Sequence, residues 1–131
     1  MRLLVDGMNV IGSRPDGWWK DRPGAMRMLI DRLRSHASAT GDSVAVFLDA
    51  RPFDLPEGGE ASVEVVFAFP GPDAADDEIV KAARAERDRP GGGEIGVVTS
   101  DHGLADRIKA LGIPVISSSA FRRRLDEEPG L

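Results

Sequence analysis

Aspartates recur where apolar runs end. Leu3-Leu4-Val5 leads into Asp6, Val44-Ala45-Val46-Phe47-Leu48 into Asp49, and Ile95-Gly96-Val97-Val98 through Thr99-Ser100 to Asp101. Asp76 and Asp77 fall in the first turns of a helix-forming stretch. Carboxylates gathered in one crevice repel each other, and a buried charge is costly unless paired or metal-bound. Hard oxygen ligands in that number suit Mg²⁺ or Mn²⁺ over Zn²⁺. Such a cluster, holding one or two ions, can activate water and stabilise the leaving oxygen of a phosphodiester. Each aspartate also has a simpler role open to it, as a turn former or helix cap. The signal lies in the set of Asp6, Asp49, Asp76, Asp77 and Asp101. Asp106, one turn into its helix, reads as solvated.

Other polar residues sit around these. Asn9 follows Asp6 across a glycine that allows a tight turn, and its amide can donate to a metal-bound water, a phosphate or a carboxylate. The same amide could instead satisfy its own loop. Thr99 and Ser100 could offer hydroxyls and backbone N–H groups to an anion at a helix start. His102 reads as an exposed helix-start residue, and neither histidine has the spacing of a catalytic base. Trp18 and Trp19 suit base stacking or lid and core packing. Arg122-Arg123-Arg124 reads as a solvated helix face, with phosphate contact the lesser alternative.

Periodic and breaker signals alternate along the chain. The run ending at Asp6-Gly7 reads as a buried strand closed by a turn. Residues 13–22 read as a loop. Pro23 opens a helix with Met26, Leu29, Ile30 and Leu33 at i, i+3, i+4, i+7, closed by Gly41. A second strand ends at Asp49, and the Pro/Gly-rich stretch from Arg51 to Glu60 reads as a loop. Val63–Phe67 is a third strand. Asp73 is placed to cap a helix running to about Arg87. A fourth strand leads to Asp101. A helix marked by Leu104, Ile108 and Leu111 stops at Gly112, Ile113–Ile116 is a fifth strand, and Ser117–Ser119 open a final helix. Strands alternating with helices imply a three-layer α/β/α sandwich around a mainly parallel, about five-stranded sheet, in one domain over residues 1–131. The strands ending near Asp6, Asp49 and Asp101 should be central, being apolar throughout.

Composition bounds the function. At 131 residues, 41% of them hydrophobic, the chain can bury a core. Cysteine is absent, which removes disulfides and thiolate metal sites and suits a reducing compartment. No apolar run approaches the ~20 residues of a membrane span. An acid at position 6 comes too early for a signal peptide, so the expectation is a cytoplasmic protein with no membrane partner. A net charge of −5 leaves no overall basic footprint for a nucleic acid. The charge is uneven, however: residues 14–34 carry a net +3 and residues 42–79 a net −9. Arg14 and Lys20 from the basic segment, with Arg51 from the acidic one, are candidates to meet substrate phosphate.

The run Leu4-Val5-Asp6-Gly7-Met8-Asn9-Val10-Ile11-Gly12 resembles the opening motif of the YacP-like NYN family, whose domains resemble PIN-type nucleases. Ala75-Asp76-Asp77-Glu78-Ile79 is similar to that family's acidic helix start, and Val97-Val98-Thr99-Ser100-Asp101 to its late strand and acidic turn. Gly112–Val115 and the closing Phe121–Leu125 helix follow in order. The resemblance implies a PIN-like fold and a Mg²⁺- or Mn²⁺-dependent ribonuclease. It carries metal-site roles onto Asp6, Asp76 and Asp101, with Asn9 in support and Asp49 as an addition. Met8 stands where the family usually has tyrosine, and Ala74 replaces a helix-start threonine. Losing the tyrosine would alter substrate stacking but removes no metal ligand, so activity stays the expectation.

Three hypotheses compete. The first is a metal-dependent ribonuclease acting on RNA, with modest intrinsic affinity and a ribosome or protein partner delivering the substrate, as monomer or homodimer. The second is a non-catalytic RNA-binding or interaction module on the same fold. The third is another α/β enzyme or switch, such as a phosphatase or phospho-accepting receiver. A receiver needs paired acids at its first strand and a lysine at its last, whereas Asp6 stands alone and residues 113–119 contain no lysine.

Overall fold

The computed structural model describes residues 1–49, 58–60, 62–68 and 73–127. Its elements run β1 (Arg2–Asp6), α1 (Gly7–Ile11), a 3₁₀ turn (Trp18–Lys20), α2 (Arg22–Thr40), β2 (Ser43–Leu48), β3 (Gly58–Glu60), β4 (Val63–Phe67), α3 (Ala74–Asp88), β5 (Ile95–Val98), α4 (His102–Ala110), β6 (Val115–Ile116) and α5 (Ser118–Glu127). The sheet order is β3-β4-β2-β1-β5-β6. Five strands are parallel and β3 pairs antiparallel with β4. As expected, β2, β1 and β5 lie at the centre, with side chains buried on both faces because helices cover both.

Alternation along the strands divides the core. Leu3, Val5, Val44, Val46 and Val98 face α1, α2 and α5, packing against Met26, Leu29, Ile30, Leu33 and Phe121. Leu4, Ala45, Phe47 and Val97 face α3 and α4, against Ile79, Ala83, Leu104 and Ile108. Asp6 shares the parity of Leu4. It therefore emerges on the α3/α4 side, where the acids at the starts of those helices are.

Four expectations needed correction. The turn at Asp6-Gly7 is the start of a helix: α1 leaves β1 without a loop and lies tight on β2. A Cβ at Gly7 would come 2.6 Å from Leu48 Cδ2 and 2.8 Å from Phe47 O, so glycine serves close approach here. Part of the expected loop 51–60 is the edge strand β3, which borrows the free edge of β4 despite its glycines. The last parallel strand is only Val115–Ile116, because Pro114 has no N–H for the ladder. Asp73 adopts a left-handed backbone (φ 62°), and its side chain makes no capping bond to α3.

Candidate functional site

The strand order reverses at β1: the chain moves to β2 on one side and later returns to β5 on the other. Ligands of open α/β sheets bind at such a switch point, beyond the carboxyl ends of the strands. Asp6 closes β1 at this point. Val5 pairs with Val98, so Thr99 lies level with Asp6. The Thr99 hydroxyl donates to Asp6 Oδ2 (2.8 Å) and accepts the Asp101 N–H (3.1 Å). Asp101 begins α4 and caps it, its Oδ1 accepting from Leu104 N–H at 2.8 Å. Asp76 and Asp77 lie in the first turn of α3, the crossover from β4 to β5.

The acids sense each other. Asp6 is buried, only 6% exposed. Desolvation, with repulsion from Asp76 and Asp101, pushes its pKa up to about 6 against the Thr99 hydroxyl and the Asn9 backbone N–H. The half-buried Asp76 is also raised, by desolvation first and then by Asp101, Asp73 and Asp77, with Arg107 opposing. Asp101 is exposed, with one carboxylate oxygen committed to its helix. Among the described residues, no three Asp, Glu or His side chains close into a coordination shell. The three acids act on one another as charges: Asp76 and Asp101 both raise Asp6, and Asp101 raises Asp76.

The other predicted residues separate. Asp49 ends β2 but is exposed and takes Arg22 Nη2 on both oxygens (2.9 and 3.0 Å). The charges acting most on Asp6 and Asp76 do not include it. Asp77 pairs with Arg107 at 2.9 Å. Thr99 is 1% exposed, and its hydroxyl is used between Asp6 and Asp101, so it is not open to an anion. Ser100 turns its N–H to Asn9 Oδ1 (2.7 Å) and its hydroxyl to the Ser118 N–H (2.9 Å). Arg14 pairs with Asp126, Lys20 is exposed on the 3₁₀ turn, and Arg51 lies outside the described residues. His102 is exposed, as expected.

Two residues differ from their sequence reading. Arg122 is not a solvated face: it donates to Val10 O and Ile11 O and pairs with Asp16 at 2.7 Å, tying α5 to α1. Ser118, absent from the expected site, is completely buried and donates to Asn9 Oδ1 at 2.6 Å. Its only sequence signal was a place in a serine run at a helix start. Elsewhere, a cavity of about 300 Å³ lies between α1, α2 and α5, lined by Val10, Trp18, Met28, Leu29, Arg122 and Leu125 among others. None of the three acids lines it, and its Arg122, Asp16, Arg32 and Asp126 pair among themselves or with Arg14.

The model of the YacP-like NYN domain family matches residues 3–130. A crystal structure of Rae1 (YacP) from Bacillus subtilis is similar at 30% identity and a TM-score of 0.74, over 96% of this chain and 74% of that one. A structure of a single-substitution variant of that protein gives 29% and 0.73 over the same shares. A search among curated proteins found no match.

Proposed function

This chain belongs to the YacP-like NYN domain family, within the PIN-like nucleases, and from that premise we propose that it is a Mg²⁺- or Mn²⁺-dependent ribonuclease, with Asp6, Asp76 and Asp101 as its metal-holding acids. The observation that carries the reading is the buried Asp6 carboxyl at the switch point, raised to about 6 by burial and by two facing carboxylates. The donor set suits a hard divalent cation: three carboxylates, and among the charges acting most on Asp6 no cation. When bound, such an ion would acidify a water and neutralise charge on the phosphodiester.

The chain's own residues divide the remaining work. Thr99 holds Asp6 Oδ2, and the Asn9 backbone N–H also donates to the same carboxyl. Asp101 keeps one oxygen free while the other anchors α4. Asn9, on α1, gives its backbone N–H to Asp6, and its side-chain oxygen accepts from Ser100 N–H and Ser118 Oγ. Asp49 and Asp77, each engaged by an arginine, are secondary in this scheme. RNA as the substrate rests on the family. The basic segment 14–34 adds little direct support, since Arg14 and Arg22 are paired within the protein.

The test is RNA cleavage by the purified protein in Mn²⁺ or Mg²⁺ and in EDTA, on structured and single-stranded RNA. Asp101→Asn keeps an oxygen to accept from Leu104 N–H, so it removes charge while retaining the cap. Expected is metal-dependent cleavage by the wild type, reduced at least about a hundredfold in Asp101→Asn. Equal cleavage by both would refute the assignment. Binding without cleavage would make the chain an RNA-binding module on a nuclease fold.

A further inference from the structure

Asn9 sits on α1 three residues after Asp6, and the orientation of its amide is decided by its partners. The Ser100 backbone N–H can only donate, so the Asn9 atom 2.7 Å away must be the oxygen. The same oxygen accepts the Ser118 hydroxyl at 2.6 Å. Both lone pairs of Oδ1 are then filled. The Ser118 N–H goes to Ser100 Oγ at 2.9 Å, closing a ring that joins α1, the β5–α4 turn and the start of α5. Asn9 Nδ2 has no hydrogen-bond partner among the described residues, and it is not a buried orphan. Asn9 is half-buried, so its two Nδ2–H groups remain available to a ligand, on a residue whose backbone N–H bonds Asp6.

Helix capping does not account for the Ser118 hydroxyl. Ser117 caps α5, its Oγ accepting from Ala120 N–H at 3.2 Å. Ser118 is 0% exposed and cannot touch a polyanion itself, so its hydroxyl acts only through Asn9. We propose that Ser118 is a positioning residue: with the Ser100 amide it holds the Asn9 carboxamide so that Nδ2 donates to an RNA phosphate at the acidic crevice. The proposal rests on the ribonuclease reading.

The test is a double-mutant cycle on RNA cleavage in Mg²⁺, with wild type, Ser118→Ala, Asn9→Ala and the double variant. Loss of a donor to developing charge costs about a hundredfold, so Asn9→Ala should fall by that much in kcat. Ser118→Ala should fall about tenfold in kcat with KM within about twofold, since the donor remains but is misaimed. The double variant should be no slower than Asn9→Ala alone, because Ser118 acts only through Asn9. Effects that multiply, or wild-type cleavage by Ser118→Ala, overturn the proposal. If Ser118→Ala does not fold, Ser118→Cys replaces it, with a weak donor in place of a strong one.

A second readout does not need turnover. The side-chain amide ¹⁵N–¹H signals of Asn9 should be displaced in the wild type and move toward those of a free amide in Ser118→Ala. Unchanged signals defeat the proposal even if RNA is cut. Displaced signals in a wild type that cuts no RNA defeat the ribonuclease reading and leave the amide lock standing.

Discussion

Asp6 is where the candidate function opposes stability. Its carboxyl binds a proton more tightly in the folded chain, near pH 6, than an ordinary aspartate does at 3.8. Between those values the folded chain holds more protons than the unfolded one, so stability falls as pH rises through the window and then levels. A rise from 3.8 to about 6 is worth about 3 kcal/mol at most. Asn can still accept the Thr99 hydroxyl without the charge. In EDTA, Asp6→Asn should therefore be about 1–3 kcal/mol more stable than wild type at pH 7, with the gain vanishing below about pH 4. Urea unfolding across pH measures this, and a gain that persists at pH 3 would show that the charge is not its cause. Thr99→Val removes the donor to Asp6 and should raise the Asp6 pKa further, read by NMR titration of its carboxyl carbon.

At the scale of elements, the site depends on how closely α1 and α4 leave their strands. α1 begins at Gly7 with no loop, because only a residue without a Cβ fits against Leu48 and the Phe47 carbonyl. Gly7→Ala should cost about 1–3 kcal/mol by overpacking, since one of the two obstacles is backbone that cannot swing away. Denaturant unfolding checks the stability. An Ala variant as stable as wild type would mean that α1 can shift off β2. α4 starts on the Asp101 cap, so Asp101→Ala should lose about 1 kcal/mol that Asp101→Asn retains. The pair of variants separates the cap from the charge.

Across the whole molecule, three acids from β1, α3 and α4 meet only because the sheet reverses at β1, and their repulsion works against the fold. A divalent cation that binds the folded chain and not the unfolded one should stabilise it by about 2.7 kcal/mol at a hundred times its dissociation constant. Thermal melting with increasing Mn²⁺ should show this rise for wild type and none for the double variant Asp6→Asn with Asp101→Asn. A similar rise in both would place the cation elsewhere. Among the described residues no helix is long and apolar enough to cross a membrane.

Local pattern carried much of this molecule. The apolar runs ending in acids located β1, β2 and β5 and made them central, because strands buried on both faces must be apolar throughout. The same runs put Asp6 and Asp101 at strand ends, and the acidic helix start located Asp76. β3 escaped notice because its pairing comes from the exposed edge of β4 rather than from its own residues. α1 escaped because Gly7 was read for turn freedom, whereas its role depends on a neighbour 41 residues away, Leu48.

Tertiary structure alone sorted the side chains. Sequence could name Asp49, Asp77, Thr99 and Arg14 as candidates, but only the fold matched them with Arg22, Arg107, Asp6 and Asp126. Ser118 is more than a hundred residues from Asn9, and no local pattern announces a hydrogen bond across that separation. Residue type and spacing therefore determined which groups could do metal-assisted chemistry. Which carboxylates remain uncompensated in one crevice was decided by topology, because charge and hydrogen bonding act through space and not along the chain.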